Sequence, residues 1–287
     1  KRKGDGKMRT AIVTDSTAYI PKEVREKYSI YMIPLNVIFG KEEYREEIDI
    51  TAEAFFEKMR MADELPTSSQ PSIGQFVELF EQLKKDYDAA ISIHLSKKIS
   101  GTYQGAVTAS GMVEGIKVYP YNSGWSCMAQ GFYAIDAAKM ALAGKEPEDI
   151  LARLDELKAS TKAYFMVDDL THLQRGGRLS GSQAVIGSLL KIKPLLTFVD
   201  DEIVPFEKIR TQKKALNRIF DLLGEDAAKG LPLKCSIIHA NREEQALEIK
   251  DELEKRFPNV DFSVSYFGPV IATHLGEGAI GVAWMLK

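Results

Sequence analysis

Two short segments concentrate hydroxyl side chains, which proteins use to hold small anions. Residues 66–72 carry four hydroxyls and one amide, and residues 96–102 carry three hydroxyls and two lysines. Hydroxyl and peptide N–H donors beside a helix N-terminus suit a carboxylate or a phosphate. Helix capping and turn formation are the alternative, and they account for one or two hydroxyls in each segment but not for all of them. Both explanations stay open on the residue pattern alone.

Two of the four histidines lie where an α/β sheet places ligands. His94 and His274 each end an apolar segment and stand beside a loop rich in hydroxyls or glycine. Loops at the ends of strands in such sheets carry ligand sites. His172 and His239 follow or lie within strand-like runs, which favours a structural role. We therefore predict His274 as a ligand contact and rank His94 behind it.

Two basic clusters lie in the second half of the chain. One is Arg-Gly-Gly-Arg at residues 175–178, and the other spans residues 208–214 and includes Arg210. A solvated charged face is the ordinary explanation for such clusters. In a chain whose net charge is -3, they are alternatively a local docking surface for a phosphate or an acidic partner.

Common catalytic motifs are missing from the sequence. It contains no G-x-S-x-G elbow, no G-x-x-x-x-G-K-[ST] phosphate loop and no H-E-x-x-H zinc motif, the standard signals of a hydrolase, a nucleotide-driven enzyme and a zinc protease. Residues 276–281 match G-x-G-x-x-G, but only six residues follow, too few for the βαβ unit that a dinucleotide site requires. We interpret residues 276–281 as a Gly-rich turn that opens a last helix, whose N–H groups could face an anion.

Composition and cysteine spacing bound the class of protein. Hydrophobic residues make up 45% and charged residues 28% of the 287-residue chain, which excludes collagen-like and wholly disordered chains. A mildly acidic chain lacks the basic footprint of a general nucleic-acid binder. Cys127 and Cys235 stand far apart without C-x-x-C spacing, so we predict neither a disulfide framework nor a metal site. No apolar run approaches membrane-spanning length, and the predicted location is the cytoplasm.

The elements that must position these residues alternate between strands and helices in the first half of the chain. Apolar and β-branched runs predict strands, and apolar spacing near 3.6 residues predicts helices. The predicted strands are 10–14, 89–95 and 116–121, and the predicted helices are 51–61, 73–84, 102–112, 126–142 and 147–158. This alternation indicates βαβ units, and hence a mostly parallel sheet flanked by helices.

The pattern of apolar runs changes near residue 161, which predicts a second α/β domain. Strand-like runs follow at 163–167, 194–199, 236–239 and 261–267, and helical runs at 184–190 and 243–256. We therefore divide the chain into an N-terminal α/β domain at residues 8–160 and a C-terminal α/β domain at residues 161–287. The basic residues 1–7 precede Met8 and are expected to be a tag or a flexible tail.

Six groups of residues follow one another in an order found in a known family. They are Val13–Thr17, Thr67–Ser72, Leu95–Gln104, Val167–Leu170 with Arg175–Arg178, Leu189–Pro194, and Phe267–Val270 with Thr273-His274. In this order they resemble the DegV family of fatty-acid-binding proteins, which includes the lipid-carrying subunits of bacterial fatty acid kinase. The resemblance spans nearly the whole chain from Met8 onward. It implies two α/β domains, with a long acyl chain buried in the protein and its carboxylate held at the domain junction.

The resemblance also implies that hydroxyls of two loops hold the carboxylate. The family uses a Thr of a T-S-Q-P-S loop, which falls on Ser68 here, with Thr67 as its neighbour. It also uses a Ser of an L-S-S loop, whose Ser-Ser pair reads Ser96-Lys97 in this sequence. Lys97 therefore either supplies a charge at the carboxylate or points to solvent and leaves the binding to Ser96. Ser100 of the same loop is included among the implied ligand contacts.

An arginine and a histidine near the carboxylate of kinase-subunit relatives match Arg210 and His274, which are implied to stabilise an added phosphate. The resemblance thus implies a cytosolic carrier that buries a long-chain fatty acid and presents its carboxylate to a separate ATP-dependent kinase subunit. The carrier would then hold the acyl phosphate. It would have no catalytic residue, cofactor, nucleic-acid partner or membrane span of its own, and transient membrane contact is compatible with this role.

Two other functions stay open from the sequence. A lipid-modifying hydrolase or transferase would use His274 with a nearby serine, although an elbow motif and an evident orienting acid are missing. A binding module for a non-lipid anionic metabolite would have a small polar pocket and no long apolar tunnel.

Overall fold

The computed structural model describes residues 7–287, which form thirteen strands in three sheets and eleven α-helices. The strands are β1 (Thr10–Asp15), β2 (Ile30–Ile33), β3 (Asn36–Phe39), β4 (Glu42–Arg45), β5 (Thr67–Ser69), β6 (Ala89–His94), β7 (Lys117–Asn122), β8 (Lys162–Met166), β9 (Leu195–Val199), β10 (Glu202–Glu207), β11 (Leu233–His239), β12 (Val260–Tyr266) and β13 (Ile280–Leu286). The helices are α1 (Lys22–Tyr28), α2 (Ala52–Met61), α3 (Ile73–Leu83), α4 (Thr102–Ser110), α5 (Cys127–Leu142), α6 (Pro147–Ser160), α7 (Thr171–Gly176), α8 (Gln183–Leu189), α9 (Gln212–Ala227), α10 (Glu243–Arg256) and α11 (Pro269–Leu275).

The first sheet has the order β2-β1-β6-β7 and is parallel throughout. Its central strands β1 and β6 are buried along their whole length. Because helices cover both faces of a parallel sheet, such strands read as continuous apolar runs instead of alternating ones. The predicted fold class, with a mostly parallel sheet flanked by helices, is confirmed.

The other two sheets are largely antiparallel. The second sheet has the order β10-β9-β8-β13-β11-β12, and within it β11 and β12 run parallel. The third sheet is small and antiparallel, with the order β4-β3-β5. It carries the first hydroxyl-rich segment, because Thr67–Ser69 forms β5.

Helices and sheets alternate in layers. Helices α3 and α4 cover the outer face of the first sheet, and α9 and α10 cover the outer face of the second. Helices α5 and α6 pack between the two sheets in a core that we term the middle core. It is continuous from Ile12 and Ile91 of the first sheet, through Tyr133 of α5, to Phe165 and Ala283 of the second. A site that lies in the middle core is therefore built by both halves of the chain.

The Gly-rich end of the chain differs from the prediction. The predicted last helix is wrong, since Ile280–Leu286 forms β13 in the centre of the second sheet. Gly276 and Gly278 have φ angles of 77° and 94°, a left-handed backbone that ends α11 and turns the chain. The run Ile280–Leu286 mixes strand formers (Ile280, Val282, Trp284) with helix formers (Ala283, Met285, Leu286), and pairing with β8 on one side and β11 on the other decides for the strand.

The division into two domains stays a prediction. The first and third sheets use residues up to Asn122, and the second begins at Lys162, while the middle core extends across the predicted boundary. Residues 1–6 of the predicted tail lie outside the described residues. Within residues 7–287, no helix combines the length and the hydropathy that crossing a bilayer requires.

Candidate functional site

A cavity of about 290 Å³ lies in the middle core. Most of its lining is apolar and comes from both halves of the chain, including Leu35, Leu95, Trp125, Phe165, Phe198 and Ile238. The polar lining is smaller and includes Ser68, Ser100, Arg178 and His274. An apolar pocket with a few convergent polar groups is the usual form of a small-molecule site.

Ser68 and His274 meet at the cavity. The Oγ atom of Ser68 and the Nε2 atom of His274 are 2.7 Å apart. Ser68 lies on β5, where antiparallel pairing with β3 sets it opposite Val37. His274 lies on α11, which begins with Pro269, a residue preorganised for the first helical turn. The contact therefore joins the two halves of the chain.

The protonation of His274 determines what Ser68 can do. Burial, together with the nearby Arg178 and His172, lowers the pKa of His274 to about 4, so the ring is neutral near pH 7. Its Nδ1 atom is buried and has no hydrogen-bond partner among the described residues. Because a buried N–H without an acceptor is rarer than an unpaired acceptor, the proton belongs on Nε2. Nε2 then donates to Ser68 Oγ, and the hydroxyl proton of Ser68 is free to donate to a ligand.

Arg178 brings a cation to the same lining. Its Nε donates to the carbonyl of Ile99 at 3.3 Å, and its Nη1 donates to the carbonyl of Gly176. Gly177 has a φ angle of 69° and ends α7, after which the chain turns back to the cavity. Burial lowers the pKa of the Arg178 guanidinium, which nevertheless stays charged. We refer to Ser68, Arg178 and His274 as the polar cluster.

The two hydroxyl-rich segments pack against each other beside the polar cluster. The Gln70 side chain occupies the space where a side chain at Gly101 would begin, so a Cβ at residue 101 would overlap the amide. Ser100 lines the cavity, and its Oγ is 2.8 Å from Oγ1 of Thr102 in the first turn of α4. Residues of both segments therefore reach one cavity.

The other predicted ligand contacts lie off the cavity lining. Ser96 is buried, and its hydroxyl donates to a backbone carbonyl in the β9–β10 turn at 2.6 Å. Thr67 and Lys97 are exposed, and strand alternation directs the side chains of Thr67 and Ser68 to opposite faces of β5. Arg210 is also exposed, between β10 and α9. The roles of these residues stay predictions, and Arg178 is the arginine that lines the cavity.

His94 belongs to a buried network that fastens β1 to β6. Its Nδ1 is 3.0 Å from Oδ2 of Asp15, and its Nε2 is 2.6 Å from Oγ of Ser92. The order Ser-His-Asp resembles a catalytic triad. All three side chains are fully buried, however, and none of them lines the cavity. The network is therefore a cross-link beneath the loop that carries Ser100.

The cavity wall offers little else that could react. Cys127 lines it, but burial raises the pKa of the thiol well above its usual range, and a neutral thiol is a poor nucleophile. In the described part of the chain, no group of three or more His, Cys, Asp or Glu side chains is arranged to hold a metal ion.

Comparison with known proteins identifies the family. Residues 9–287 match the family model described as an uncharacterised protein of the DegV family. The chain belongs to the DegV family. The resemblance predicted from the six ordered groups of residues is thus confirmed. Among curated relatives of this DegV-family chain, Protein DegV of Bacillus subtilis (strain 168) is 59% identical over 281 residues, which cover 98% of this chain and 100% of the relative.

Solved structures of DegV-family proteins share the whole fold. A crystal structure of DegV from Bacillus subtilis, described as a fatty acid binding protein, has a TM-score of 0.94 at 59% identity and covers 98% of this chain and 100% of that one. A Thermus thermophilus DegV family protein, described by its fatty acid binding, has a TM-score of 0.91 at 30% identity with 98% and 100% coverage. The fatty acid binding DegV family protein of Streptococcus agalactiae has a TM-score of 0.90 at 31% identity with 98% and 99% coverage.

Proposed function

We propose that this DegV-family protein binds one long-chain fatty acid in the cavity, with the acyl chain against the apolar lining and the carboxylate at the polar cluster. The observation that carries the proposal is the contact between Ser68 and His274 in a cavity whose other walls are mostly apolar. The fatty acid binding described for the relatives from B. subtilis, T. thermophilus and S. agalactiae supports it.

The acyl chain supplies the affinity. A palmitate chain has about 14 methylenes, and at ~0.8 kcal/mol each their burial contributes on the order of 11 kcal/mol before association costs are deducted. Three aromatic rings form an apolar wall for such a chain. The centroid of the Phe198 ring is 5.4 Å from that of Trp125 and 6.1 Å from that of Phe165. A small anionic metabolite would leave this apolar surface uncovered, which counts against the non-lipid alternative.

The polar cluster compensates the charge of the carboxylate. An unpaired buried charge is strongly unfavourable, so the carboxylate needs both donors and a cation. The Ser68 hydroxyl donates to one carboxylate oxygen, while Nε2 of His274 holds that hydroxyl in position. Arg178 supplies the positive charge. We assign this role to Arg178 and not to Arg210, because Arg210 is exposed and does not line the cavity.

Mass spectrometry of lipid released from the purified, denatured protein tests the proposal. We expect a long-chain fatty acid in the released material, and we expect the delipidated protein to bind added oleate or palmitate. Oleyl alcohol serves as the matched ligand, since it keeps the tail and lacks the carboxylate, and it should bind more weakly. If no fatty acid is released and neither acid binds, the proposal is wrong.

The proposal includes phosphorylation of the bound carboxylate by a separate kinase subunit. A carboxylate oxygen would attack the γ-phosphorus of ATP, releasing ADP and leaving an acyl phosphate on this protein. The resemblance to lipid-carrying kinase subunits supports this step, as does the partial exposure of Ser68, Arg178 and His274, which leaves the carboxylate reachable. Oleate-loaded protein incubated with Mg-ATP and a purified bacterial fatty acid kinase catalytic subunit should yield hydroxamate when hydroxylamine is added. No hydroxamate would contradict this step and leave fatty acid binding intact.

A lipid hydrolase is the second candidate function, because 2.7 Å is a suitable distance between a serine nucleophile and its general base. His274 nevertheless lacks a carboxylate partner at Nδ1 among residues 7–287, and its lowered pKa makes it a weak base. We therefore propose a carrier without catalytic activity of its own. Its proposed location is the cytoplasm, and it is proposed to need no cofactor. Turnover of acyl esters or acyl phosphates by the purified protein would overturn the non-catalytic part of this proposal.

A further inference from the structure

Gly176 lies directly against the imidazole of His274. It is the last residue of α7, in the Arg-Gly-Gly-Arg segment. A Cβ at residue 176 would overlap Nδ1 of His274 and would lie 3.2 Å from its Cε1. Non-bonded carbon and nitrogen atoms do not approach so closely, so a side chain at residue 176 would force the ring or the helix to move.

The backbone at residue 176 does not itself call for glycine. The φ angle of Gly176 is not positive, whereas its neighbour Gly177 has a φ angle of 69°. Alanine is the better helix former at a position with ordinary helical angles. The contact with His274 is therefore the structural reason for the missing side chain at residue 176.

The ring of His274 is held on both sides. Gly176 lies against its Nδ1 edge, and Ser68 bonds to its Nε2 at 2.7 Å. The flanking residues of α11, Thr273 and Leu275, are buried, which leaves the backbone little room to retreat. Displacing the ring from Gly176 would therefore change the contact with Ser68. The carbonyl of Gly176 also accepts a hydrogen bond from Arg178, so residue 176 touches two members of the polar cluster.

We propose that Gly176 is a positioning residue, whose lack of a side chain keeps His274 in contact with Ser68 and thereby keeps the Ser68 hydroxyl directed at the ligand carboxylate. This inference rests on the proposed function for the identity of the ligand. The geometry of the ring itself can be tested without a ligand.

Gly176→Ala tests the inference against a matched glycine. Gly187 lies in α8, its φ angle is not positive, and no atom lies within 4 Å of the position that a Cβ would take there. Gly187→Ala therefore adds the same methyl group to open space. We expect Gly176→Ala to bind oleate at least tenfold more weakly, with less than a twofold change for oleyl alcohol. Gly187→Ala should bind both ligands as the wild type does. Wild-type oleate affinity in Gly176→Ala would overturn the proposal.

A second background shows whether Gly176 acts through His274. In His274→Ala the ring is gone, so adding Gly176→Ala should change oleate affinity less than twofold further. An equal loss with and without the ring would mean that Gly176 acts on something else, and the proposal would be wrong. If Gly176→Ala alone does not fold, the double variant should recover a cooperative thermal transition. Failure of the double variant to recover would also overturn the proposal.

Nitrogen NMR of the ligand-free protein separates this inference from the proposed function. With ¹⁵N-labelled histidine, the wild type should show a neutral His274 protonated at Nε2, and Gly176→Ala should show a changed tautomer balance or a pKa closer to the ordinary value. Identical His274 signals in the two proteins would refute the positioning role. If the wild type binds no oleate but the His274 signals do change, the proposed function fails and the positioning role stands.

Discussion

At the scale of single residues, the site depends on which atoms carry protons. The hydroxyl proton of Ser68 is available to a carboxylate when Nε2 of His274 donates to Ser68 instead of accepting from it. His274 donates from Nε2 because its buried Nδ1 has no partner among the described residues. Arg178 is present as a permanent cation beside this pair. In the proposed function these three residues hold the carboxylate, and the variants below test Ser68 and His274.

Ser68→Ala is expected to weaken oleate binding by about 10- to 100-fold, because a hydrogen bond to a charged group contributes ~1.5–3 kcal/mol. Thr67→Ala is the matched control, since it removes the neighbouring exposed hydroxyl, and it should leave affinity unchanged. Titration calorimetry with oleate measures both. An unchanged affinity in Ser68→Ala would mean that Thr67, Ser96 or Lys97 holds the carboxylate instead.

His274 is expected to make the free energy of unfolding depend on pH. Its pKa is about 4 in the folded protein and about 6.5 in an unfolded chain, so the unfolded chain takes up this proton first as the pH falls. The free energy of unfolding should therefore decrease from about pH 6.5 to about pH 4, by at most about 3 kcal/mol, and this effect is absent at higher pH.

Urea unfolding of wild type and His274→Gln at several pH values isolates the contribution of this one group. The wild type should lose stability relative to His274→Gln across this range. A difference between the two proteins that does not change with pH would contradict a neutral His274 with a lowered pKa.

At the scale of elements, β13 shows how strand alternation makes room for the cavity. Val282 and Trp284 pack under α9 and α10, whereas Ala283 packs in the middle core. Ala283 lines the cavity, and Val282 also borders it. Gly281, two positions from Ala283, also lines it. A period of two places Gly281 and Ala283 on the same face of β13, toward the middle core, where their small size leaves space that larger side chains would fill.

Ala283→Leu is expected to shift the preference of the protein toward shorter fatty acids. The larger side chain enters the cavity, so affinity for oleate should fall more than affinity for laurate, while the ligand-free protein keeps its stability. Ala134→Leu is the control, because Ala134 is fully buried in the middle core and does not line the cavity. That control should lose about 1–3 kcal/mol of stability through overpacking. Equal losses for both acids in Ala283→Leu would argue against the acyl chain lying along β13.

At the scale of the whole molecule, the two halves are joined by more than the chain between them. The middle core contains residues of both large sheets. Arg60 of α2 also donates from Nε to Glu277, just beyond α11, at 2.9 Å, and this contact lowers the pKa of Glu277 to about 2. Since Ser68 and His274 come from opposite halves, the polar cluster exists only when the halves are assembled.

The ligand-free protein is expected to unfold in one cooperative transition. Trp125 lies in the first half and Trp284 in the second, and the sequence contains two tryptophans. Trp284→Phe leaves fluorescence that reports on the first half, and Trp125→Phe leaves fluorescence that reports on the second. In each variant, the fluorescence midpoint should coincide with that of far-ultraviolet circular dichroism, because the halves share a core. Separate midpoints would show that the halves unfold independently.

Local signals in the sequence determined much of the architecture and part of the site. The apolar runs of β1 and β6 and the capping box formed by Ser72 and Gln75 at α3 depend on burial and on bonds within a few residues. The residue pattern also pointed to His274, and the family resemblance implied Ser68. Short or context-dependent strands were missed, and β13 was predicted as a helix, because its pairing partners β8 and β11 are remote in the sequence.

Only the tertiary structure decided which residues meet. That Ser68 lines the cavity and Thr67 does not follows from the pairing of β5 with β3. That Arg178 lines the cavity, while Arg210 stays outside it, follows from the turn at Gly177 and the packing of α7 against α11. Composition and motif order indicate which reactive groups a chain contains, but a site depends on the distances between residues that are far apart in sequence. Those distances are set by strand register and core packing, which local sequence patterns do not encode.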